Sequence, residues 1–319
     1  MKSCFSIVIP SYQIEASIPH NLPRLLKLRE MLPKMRVELV FVNDGSTDRT
    51  QELLENYRKE YPDCVKIISL TRNFGQTPAI QAGLAYATGD CVGIISADLQ
   101  EPCEMFVDMI EKWKQGAKFI IGERAERSDS KGLSLLFSKL YWWILNRYAF
   151  KNHPEHGYDF CLLDRQVVND VNRVHEIHTA IFALIFWFGY CPETVYIKRT
   201  EQTHGKSQNN FRKRLRIAID TLIGFTRLPI RCVIFASLGT SFATFLYLIW
   251  IVIQYFVLGV QLQGWTTIVA LILLFSALIL FMLGIISEYL FRIIEQTRKR
   301  PSFVVERLIG FDSTAILKH

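Results

Sequence analysis

The chain has 319 residues, with 37 lysines and arginines against 30 aspartates and glutamates, and half of its residues are hydrophobic. That apolar content excludes a disordered chain, and the length suits one catalytic domain with an appendage or two small domains. The mean hydropathy is positive, and no charged residue occurs from Cys232 to Ser287. Because a membrane helix needs about 20 apolar residues, this run predicts two spans, 230–257 and 265–290, and argues against a purely soluble protein.

The distribution of positive charge predicts a membrane surface as partner and argues against nucleic-acid binding. The net charge is +7 and the sequence pI is about 9.0, but the cations crowd the stretch before the first predicted span. Cations also follow the second span, so the positive-inside rule places both termini in the cytoplasm. The first cluster comprises Lys198, Arg199, Lys206, Arg212, Lys213, Arg214, Arg216, Arg227 and Arg231.

The N-terminus and the cysteines agree with a cytoplasmic catalytic part. The first residues carry no secretory signal, since the apolar run 5–9 stops at Pro10, which is predicted to end the first strand. Seven cysteines are scattered without CxxC spacing, which predicts reduced, mostly buried thiols. We therefore expect a multi-pass protein of the inner or plasma membrane with its catalytic domain in the cytoplasm.

Residues 1–122 alternate short β-rich runs with polar segments of helical periodicity. The runs are 5–9, 37–42, 65–70, 92–96 and 118–122, and the helical segments are 18–31, 48–60, 77–87 and 105–115. Repeated strand–helix–strand units predict a mostly parallel sheet that is covered on both faces. In such sheets ligands bind beyond the carboxyl ends of the strands, so functional residues are expected there.

The later segments complete the predicted organisation. The aromatic-rich stretch 133–150 is either a buried helix or a helix in the membrane interface, 181–188 is predicted to belong to the core, and 208–228 has the pattern of a basic amphipathic helix. The predicted domains are a catalytic domain at 1–207, a juxtamembrane helix at 208–229, the two spans within 230–290, and a cytoplasmic tail at 291–319.

Two predicted strands end in residues that suit a nucleotide ligand. Tyr12 follows the first strand and offers a ring on which a base can stack, although a plain strand-to-helix turn would also explain this segment. Asp44 ends the second strand, where its carboxylate can accept hydrogen bonds from a base or ribose. Thr47 or Asp48 is predicted to cap the helix that follows, which needs no function.

The fourth predicted strand ends in two oxygen-bearing side chains. Asp98 and Gln100 stand two residues apart, so their oxygens can face one site. Hard oxygen ligands in this position suit Mg²⁺ or Mn²⁺ bridged to a diphosphate. As a bare pattern DxQ is common, and loop solvation is the alternative.

Four segments in chain order are more specific than any one of them: PSYQIE at 10–15, VNDGSTD at 42–48, RNFGQ at 72–76 and SADLQEP at 96–102. They resemble the inverting family-two glycosyltransferases with a GT-A fold, a Rossmann-like α/β domain. Within that family the chain is most similar to the polyisoprenyl-phosphate glycosyltransferases of the dolichol-phosphate mannose synthase and GtrB type. The resemblance covers nearly the whole chain, including GYDFCLLD at 157–164, GKS at 205–207 and two C-terminal spans. The QxxRW element of processive polysaccharide synthases does not occur.

The resemblance implies a role for each matched position. Asp159 corresponds to the active-site aspartate, and Asp98 and Gln100 correspond to the positions that hold the metal. The donor nucleotide would be held by Pro10, Tyr12, Glu15, Asp44, Arg72, Asn73 and Asp98. The acceptor phosphate would be surrounded by Arg124, Lys131, Ser138, Arg199, His204, Lys206 and Ser207.

Three positions depart from the pattern of the family that the chain resembles. Ser96 stands where many relatives have aspartate, which removes one carboxylate from the metal's surroundings. Cys161 and Gln202 stand where arginine is frequent. These changes put the choice of metal and of sugar in doubt.

The resemblance implies a metal-dependent, inverting hexosyltransferase that moves a sugar, with glucose as the first candidate, from a UDP-sugar to a polyprenyl phosphate such as undecaprenyl phosphate. A lipid monophosphate is largely ionised at neutral pH, so Asp159 is expected to position the sugar or the acceptor and not to act as an obligate base. Relatives suggest a homotetramer. Two alternatives remain: transfer to a soluble or protein acceptor, and a non-catalytic membrane scaffold that binds nucleotide. The pathway stays open among lipopolysaccharide modification, protein glycosylation and cell-wall decoration.

Overall fold

The computed structural model describes residues 3–99, 101–124, 160–174, 181–197, 228–258, 264–298 and 300–311. The chain divides into two compact units, one formed by 1–217 together with 301–319 and the other by 218–300. The first unit contains a β-sheet with its helices, and the second contains two long helices. The predicted helices at 133–150 and 208–228 lie outside the described residues, apart from position 228.

In the described part of the chain the first unit is built on one eight-stranded sheet. Its strands are β1 (Cys4–Ser11), β2 (Arg36–Asn43), β3 (Val65–Leu70), β4 (Cys91–Ile94), β5 (Phe119–Arg124), β6 (Cys161–Asp164), β7 (Glu193–Ile197) and β8 (Val305–Ile309). They lie in the order β7-β5-β6-β4-β1-β2-β3-β8. Strands β4, β1, β2 and β3 are mutually parallel, as are β5 and β7, whereas β6 and β8 run antiparallel to their neighbours. The predicted α/β class with a mostly parallel sheet is confirmed.

The helices of the first unit cover the sheet through apolar faces. They are α1 (Ile18–Met31), α2 (Thr50–Glu60), α3 (Gln76–Tyr86), α4 (Phe106–Lys114), α5 (Arg165–Asn172) and α6 (Ile181–Trp187). In α1 the buried residues recur every three or four positions, which is the periodicity of a helix with one face on a core: Ile18, Leu22, Leu25 and Leu28. The stretch 181–188, predicted to belong to the core, forms helix α6 at Ile181–Trp187. Five of its residues are buried, but Trp187 is exposed and does not belong to the core.

Helix α3 packs against the sheet at a spacing that only glycine permits. A Cβ at Gly83 would lie 3.1 Å from Cγ2 of Val8 and 3.2 Å from Cγ2 of Val42, and closer still to Cγ1 of Val8. Core contacts of this kind leave no room for an added methyl group. The close packing fixes α3 over β1 and β2, and α3 begins directly after residues 72–75, which enter the candidate site.

The prediction that Pro10 ends the first strand was wrong. Strand β1 continues to Ser11, with Pro10 opposite Val42 and Ser11 opposite Asn43. Proline lacks only the N–H group, and the carbonyl of Ser11 still accepts a 2.9 Å hydrogen bond from the amide of Asp44. The pairing therefore passes the proline and brings Tyr12 close to the end of β2.

The cysteines are reduced where the structure describes them, as predicted. Six of the seven are free thiols, and Cys64, Cys91, Cys103 and Cys161 are buried. Burial raises the pKa of the Cys103 thiol to about 12, and a thiol that stays protonated is a poor nucleophile and metal ligand. These buried thiols serve packing.

The last strand comes from the segment after the two long helices, a segment without a strong strand signal. Strand β8 pairs with the outer edge of β3, with Ile309 opposite Ile67 and Val305 opposite Leu70. Ile309 packs against the core of the sheet. Beyond it, the ring of Phe311 lies 5.8 Å from the ring of Tyr86 in an edge-to-face arrangement. The edge of β3 is thereby covered by residues from the far end of the chain.

The second unit contains helices α7 (Leu228–Leu258) and α8 (Trp265–Thr297). Within the described residues, α8 is long and apolar enough to cross a membrane over Leu274–Phe291, and α7 contains a shorter apolar stretch, Val233–Tyr247. The hydroxyl of Ser237 on α7 lies 3.2 Å from the sulfur of Met282 on α8. One of the two predicted spans thus meets the criteria of length and composition, and the second span stays a prediction.

Candidate active site

The strand order places a crevice beyond the carboxyl ends of β1 and β4. From β1 the chain moves outward to β2 and β3, and then returns to β4 on the opposite side of β1. At such a reversal the two crossing helices lie on opposite faces of the sheet, which leaves the crevice in which open α/β sheets bind ligands. Tyr12 follows β1, Asp44 follows β2, and Asp98 lies shortly after β4. Three of the predicted donor residues therefore lie at one edge of the sheet.

The loops after β1 and β2 are tied to each other by hydrogen bonds. The amide of Gln13 donates to the hydroxyl of Ser46 at 3.0 Å. The carboxylate of Glu15 accepts from the amide of Arg49, which precedes α2, at 3.0 Å. Gln13 has a positive φ of 51°, a conformation that is uncommon for residues other than glycine and that tends to persist near functional sites. Glu15 thus fixes the two loops relative to each other, and its predicted contact with the donor stays a prediction.

Tyr12 presents its ring to solvent in the crevice. Its side chain is 41% exposed, whereas Pro10, two residues earlier, lies within β1.

Stacking of a base on an aromatic ring contributes about 1–3 kcal/mol per base in nucleic-acid complexes. We expect Tyr12→Ala to raise the KM for the nucleotide donor about tenfold and Tyr12→Phe to leave it within twofold, as measured by initial rates at varied donor concentration. Equal KM values in both variants would contradict a stacking role.

Asp44 organises the loop at residues 72–75, here called the donor loop. It is 3% exposed, and its two carboxylate oxygens accept hydrogen bonds from the amides of Phe74 at 2.7 Å and Gly75 at 2.8 Å. Burial raises the pKa of Asp44 above the ordinary aspartate value, while the two amides and the positive charge of Arg72 act in the opposite direction. The carboxylate therefore holds the donor loop through two of its backbone amides. Its predicted binding to a base or ribose stays a prediction.

Gly45 allows the donor loop to lie directly on the turn after β2. Its φ is +64°, and a Cβ there would lie within 2.6 Å of the Asn73 nitrogen and 2.8 Å of the Arg72 Cα. No other residue type fits this conformation and this approach together. The exposed guanidinium of Arg72 stacks 4.1 Å from the centroid of the Phe74 ring. Arg72 and Asn73 are thus exposed beside the turn after β2, and their predicted contact with the donor stays a prediction.

The turn after β4 presents Asp98 to solvent. Leu99 has a φ of 45°, and its amide donates to the carbonyl of Ser96 at 3.1 Å. The side-chain amide of Asn21, on α1, holds the same turn through the carbonyl of Ala97 at 2.8 Å. Asp98 itself is exposed. Positive φ values therefore occur just past both strands that flank the crevice, at Gln13 and at Leu99.

The described residues fit a metal that is shared with a ligand better than a metal held by protein alone. Among them no group of three or more histidine, cysteine, aspartate or glutamate side chains is arranged to hold an ion. Mg²⁺ commonly binds through one or two carboxylates together with phosphate oxygens and water. The exposed carboxylate of Asp98 suits that mode, and Gln100 lies outside the described residues.

Phe160 leads into β6 at the same edge of the sheet. Phe160 is buried with its ring 4.5 Å from that of Phe106, and its carbonyl accepts from the amide of Gly122 at 3.0 Å. Cys161 then pairs with Ile94, the last residue of β4. Cys161 itself is buried inside the sheet.

Several predicted site residues lie outside the described part of the chain. Arg124 is the last residue of β5, and its backbone pairs with Ile197 of β7. The catalytic candidate, one metal candidate, the departure at 202 and the other acceptor residues are not described: Asp159, Gln100, Gln202, Lys131, Ser138, Arg199, His204, Lys206 and Ser207. Their predicted roles stay predictions.

Two residues that support the site were missed by the sequence reasoning. Asn43, the last residue of β2, is buried, and its side-chain oxygen accepts from the amide of Ser46 at 3.0 Å. Its side-chain nitrogen donates to Oε1 of Gln51, on α2, at 2.7 Å. The spacing of Asn43 and Ser46 was a readable turn signal. Gln51 belongs to no motif, and only the fold brings it to Asn43.

Asp48, predicted as a helix cap, accepts from the amide of Thr50, the first residue of α2.

Comparison with known proteins identifies the family. The model of glycosyl transferase family 2 matches residues 6–171, which run from within β1 into α5 and include Tyr12, Asp44 and Asp98. The chain belongs to glycosyl transferase family 2. This family 2 enzyme has the GT-A-like α/β fold that its motifs predicted.

Similar proteins match along nearly their whole length. A glycosyltransferase of Bacillus subtilis named YkcC and described as uncharacterized is 32% identical over 98% of this chain and 97% of its own. The bactoprenol glucosyl transferase of Shigella phage SfX is 31% identical over 94% of this chain and 98% of its own. Among solved structures, glucosyl-3-phosphoglycerate synthase from Mycobacterium tuberculosis aligns with a TM-score of 0.46 and 17% identity, covering 70% of this chain and 79% of that one.

Proposed function

We propose that this family 2 glycosyltransferase transfers a sugar, with glucose as the first candidate, from a UDP-sugar to a polyprenyl phosphate such as undecaprenyl phosphate at the cytoplasmic face of a membrane. The observation that carries the proposal is the near full-length likeness to bactoprenol glucosyl transferases, which reaches past the sheet into the apolar C-terminal helices. A soluble acceptor would give those helices no evident purpose.

The chemistry of the crevice supports a nucleotide diphosphate as the leaving group. The exposed ring of Tyr12 can stack on uracil, and the cation of Arg72 lies on the surface of the donor loop. A positive charge there favours the diphosphate, whose negative charge grows as the bond to the sugar breaks. The uridine end would be held by the residues around β1 and β2: Pro10, Tyr12, Glu15, Asp44 and Asn73.

A divalent metal fits this crevice as a partner of the diphosphate. Asp98 and Gln100 would hold Mg²⁺ or Mn²⁺ together with phosphate oxygens, in keeping with the low number of protein ligands. When bound, the metal would supply charge stabilisation to the departing UDP. Attack from the face opposite to UDP inverts the anomeric carbon, and Asp159 would orient the sugar or the acceptor. Because the acceptor phosphate is already an anion at neutral pH, the chain needs cations near it more than a strong base.

The lipid acceptor gives the apolar helices a purpose. Moving a polyprenyl chain out of the bilayer costs about 0.8 kcal/mol per CH₂ group, so the enzyme must meet the acceptor at the membrane. We propose that α7 and α8 are the two spans of a multi-pass protein with both termini in the cytoplasm. The acceptor phosphate would be collected by cations, with Arg124 at the end of β5 and Lys131, Arg199 and Lys206 beyond it. A tetramer remains part of this proposal.

The experiment that tests the proposal is a transfer assay with the full chain purified in detergent. Undecaprenyl phosphate, MnCl₂ or MgCl₂ and a panel of radiolabelled UDP-sugars are supplied, and label is counted in the organic phase. We expect label from one sugar, dependent on the lipid phosphate and abolished by a chelator. UDP binding without organic-phase label from any sugar would overturn the lipid-acceptor proposal and favour a soluble acceptor or a non-catalytic scaffold.

A further inference from the structure

Strand β8 is connected to the candidate site by a continuous chain of hydrogen bonds. The guanidinium of Arg307, on β8, lies 3.0 Å from Oε1 of Glu55 on α2. The same oxygen accepts from the side-chain nitrogen of Gln51 at 2.8 Å. The oxygen of Gln51 in turn accepts from Asn43 at 2.7 Å and from the hydroxyl of Ser69 at 2.9 Å. The chain thus runs from the strand that follows α8 in the sequence to the ends of β2 and β3.

From Asn43 the connection continues into both nucleotide loops. The side-chain oxygen of Asn43 holds the amide of Ser46, and the hydroxyl of Ser46 holds the amide of Gln13 in the loop after β1. Asn43 is 4% exposed, so its two side-chain groups are satisfied within the protein and not by water. Because buried polar groups are costly to leave unpaired, a change at Gln51 is passed on to these loops.

A second connection is made by the backbone. Strand β8 pairs with β3 as far as Leu70, with a shift in register between Ser69 and Leu70. The amide of Thr71 then donates to the carbonyl of Val304 at 3.1 Å. Thr71 is the last residue before the donor loop, whose amides are held by Asp44. The segment that returns from α8 therefore fixes the start of the donor loop.

We infer that Gln51 and Glu55 are positioning residues. By linking strand β8 to the loops after β1 and β2, they hold these loops in the geometry that binds the donor. Neither side chain belongs to a family motif, and neither touches the crevice. The inference rests on the proposed function only in naming UDP as the nucleotide. It gives the segment after the apolar helices a part in the binding of the donor, although Arg307 itself is remote from the crevice.

The order of donors and acceptors in this series of hydrogen bonds allows the amide at 51 and the carboxylate at 55 to be exchanged. In Gln51→Glu two carboxylates meet at hydrogen-bond distance, so the bond between positions 51 and 55 is lost. Adding Glu55→Gln restores it in the reverse direction, since the amide nitrogen at 55 donates to the carboxylate at 51. Arg307 contacts the same Oε1 position in the wild type, so its exposed guanidinium must shift to the remaining oxygen of the amide. Position 51 offers an oxygen to Asn43 and Ser69 in every variant, but repulsion from Glu55 displaces that oxygen in Gln51→Glu and not in the double variant. Rescue by the double variant reports on this contact alone, as in a double-mutant cycle.

The test measures UDP affinity by calorimetry and the donor and acceptor KM values of the full chain in detergent. We expect Gln51→Glu to weaken UDP binding and raise donor KM about tenfold, with acceptor KM unchanged, and the double variant to return within about twofold of wild type. Arg307→Ala should raise donor KM only two- to threefold, since exposed ion pairs are weak. Asn56→Asp, which adds the same charge on the exposed side of α2, is the matched control and should change nothing.

If these hydrogen bonds had a merely structural role, the variants would give different results. It would lower the thermal midpoint without separating donor KM from acceptor KM. Amide hydrogen exchange of the ligand-free protein gives a readout that needs no nucleotide, and Gln51→Glu should speed exchange in 44–46 and 72–75 while the double variant restores it. Unchanged exchange and UDP affinity in folded Gln51→Glu, or a double variant no better than the single one, would overturn the inference. If the variants show this exchange pattern while the wild-type protein transfers no sugar to lipid, the proposed function alone is overturned.

Discussion

Replacement of Asp98 by alanine is expected to lower kcat at least 100-fold in the lipid transfer assay. Asp98 is the one described carboxylate that is both exposed and placed just past β4 at the crevice. Removing a group that stabilises developing charge commonly reduces turnover by about 10²–10³. The variant should also need more Mn²⁺ or Mg²⁺ to reach half of its maximal rate, because the metal loses its carboxylate ligand and keeps only Gln100 and the diphosphate oxygens. Initial rates at varied metal concentration measure both effects.

Asp63→Ala is the matched control for this prediction. Asp63 is also exposed, but it lies in the turn before β3, at the opposite edge of the sheet. The control should keep the wild-type kcat and the wild-type metal dependence. Full turnover in Asp98→Ala would show that another group holds the ion. A slower variant whose half-maximal metal concentration equals that of the wild type would show the same.

The second large effect is expected for Asp44→Asn, which should raise donor KM about 30-fold. The two carboxylate oxygens of Asp44 accept from the amides of Phe74 and Gly75. Asparagine offers one oxygen and turns an NH₂ group toward the other amide, so a buried donor loses its partner. That loss costs about 1–3 kcal/mol, and about 2 kcal/mol corresponds to a factor near 30. The donor loop should loosen while the lipid KM is retained.

Asp90→Asn separates this local effect from general destabilisation. The Asp90 carboxylate also accepts from a backbone amide, that of Cys4, at 2.8 Å, but it lies before β4 at the other edge of the sheet. Both variants should melt at lower temperature, and only Asp44→Asn should bind UDP more weakly. Donor KM within twofold of wild type in Asp44→Asn would mean that the donor loop does not depend on this carboxylate.

The sequence was sufficient for the part of the fold that is local in the chain. Strand–helix repeats with apolar runs of four to eight residues placed β1 to β5 and α1 to α4 nearly where they occur, because helices and parallel strands leave periodic traces. The same traces, with the rule that parallel sheets bind ligands at the carboxyl ends of their strands, brought Tyr12, Asp44 and Asp98 to one edge. The predicted end of β1 at Pro10 was wrong, since a missing N–H group does not stop a strand.

What could not be predicted is pairing between distant segments. Strand β6 has only four residues, and its antiparallel place between β4 and β5 depends on residues far apart in the chain. Strand β8 reads VERLI, with two charges and too little alternation to stand out. The hydrogen bonds of Gln51 depend on that pairing, so no local pattern marks them. The motif residues Tyr12, Asp44 and Asp98 lie at the predicted edge of the sheet, whereas Gln51, which supports that edge, belongs to no motif.

The position of β8 also has a consequence for biosynthesis. During translation the outer edge of β3 has no partner until residues 305–309 have been made, because its partner β8 lies far along the chain from residues 65–70. At about 5–20 residues per second, that edge stays open for about ten to fifty seconds, and an open edge is a template for pairing with another chain. Nascent enzyme must therefore be shielded from its neighbours on the ribosome, and messages truncated before codon 305 should yield aggregating protein.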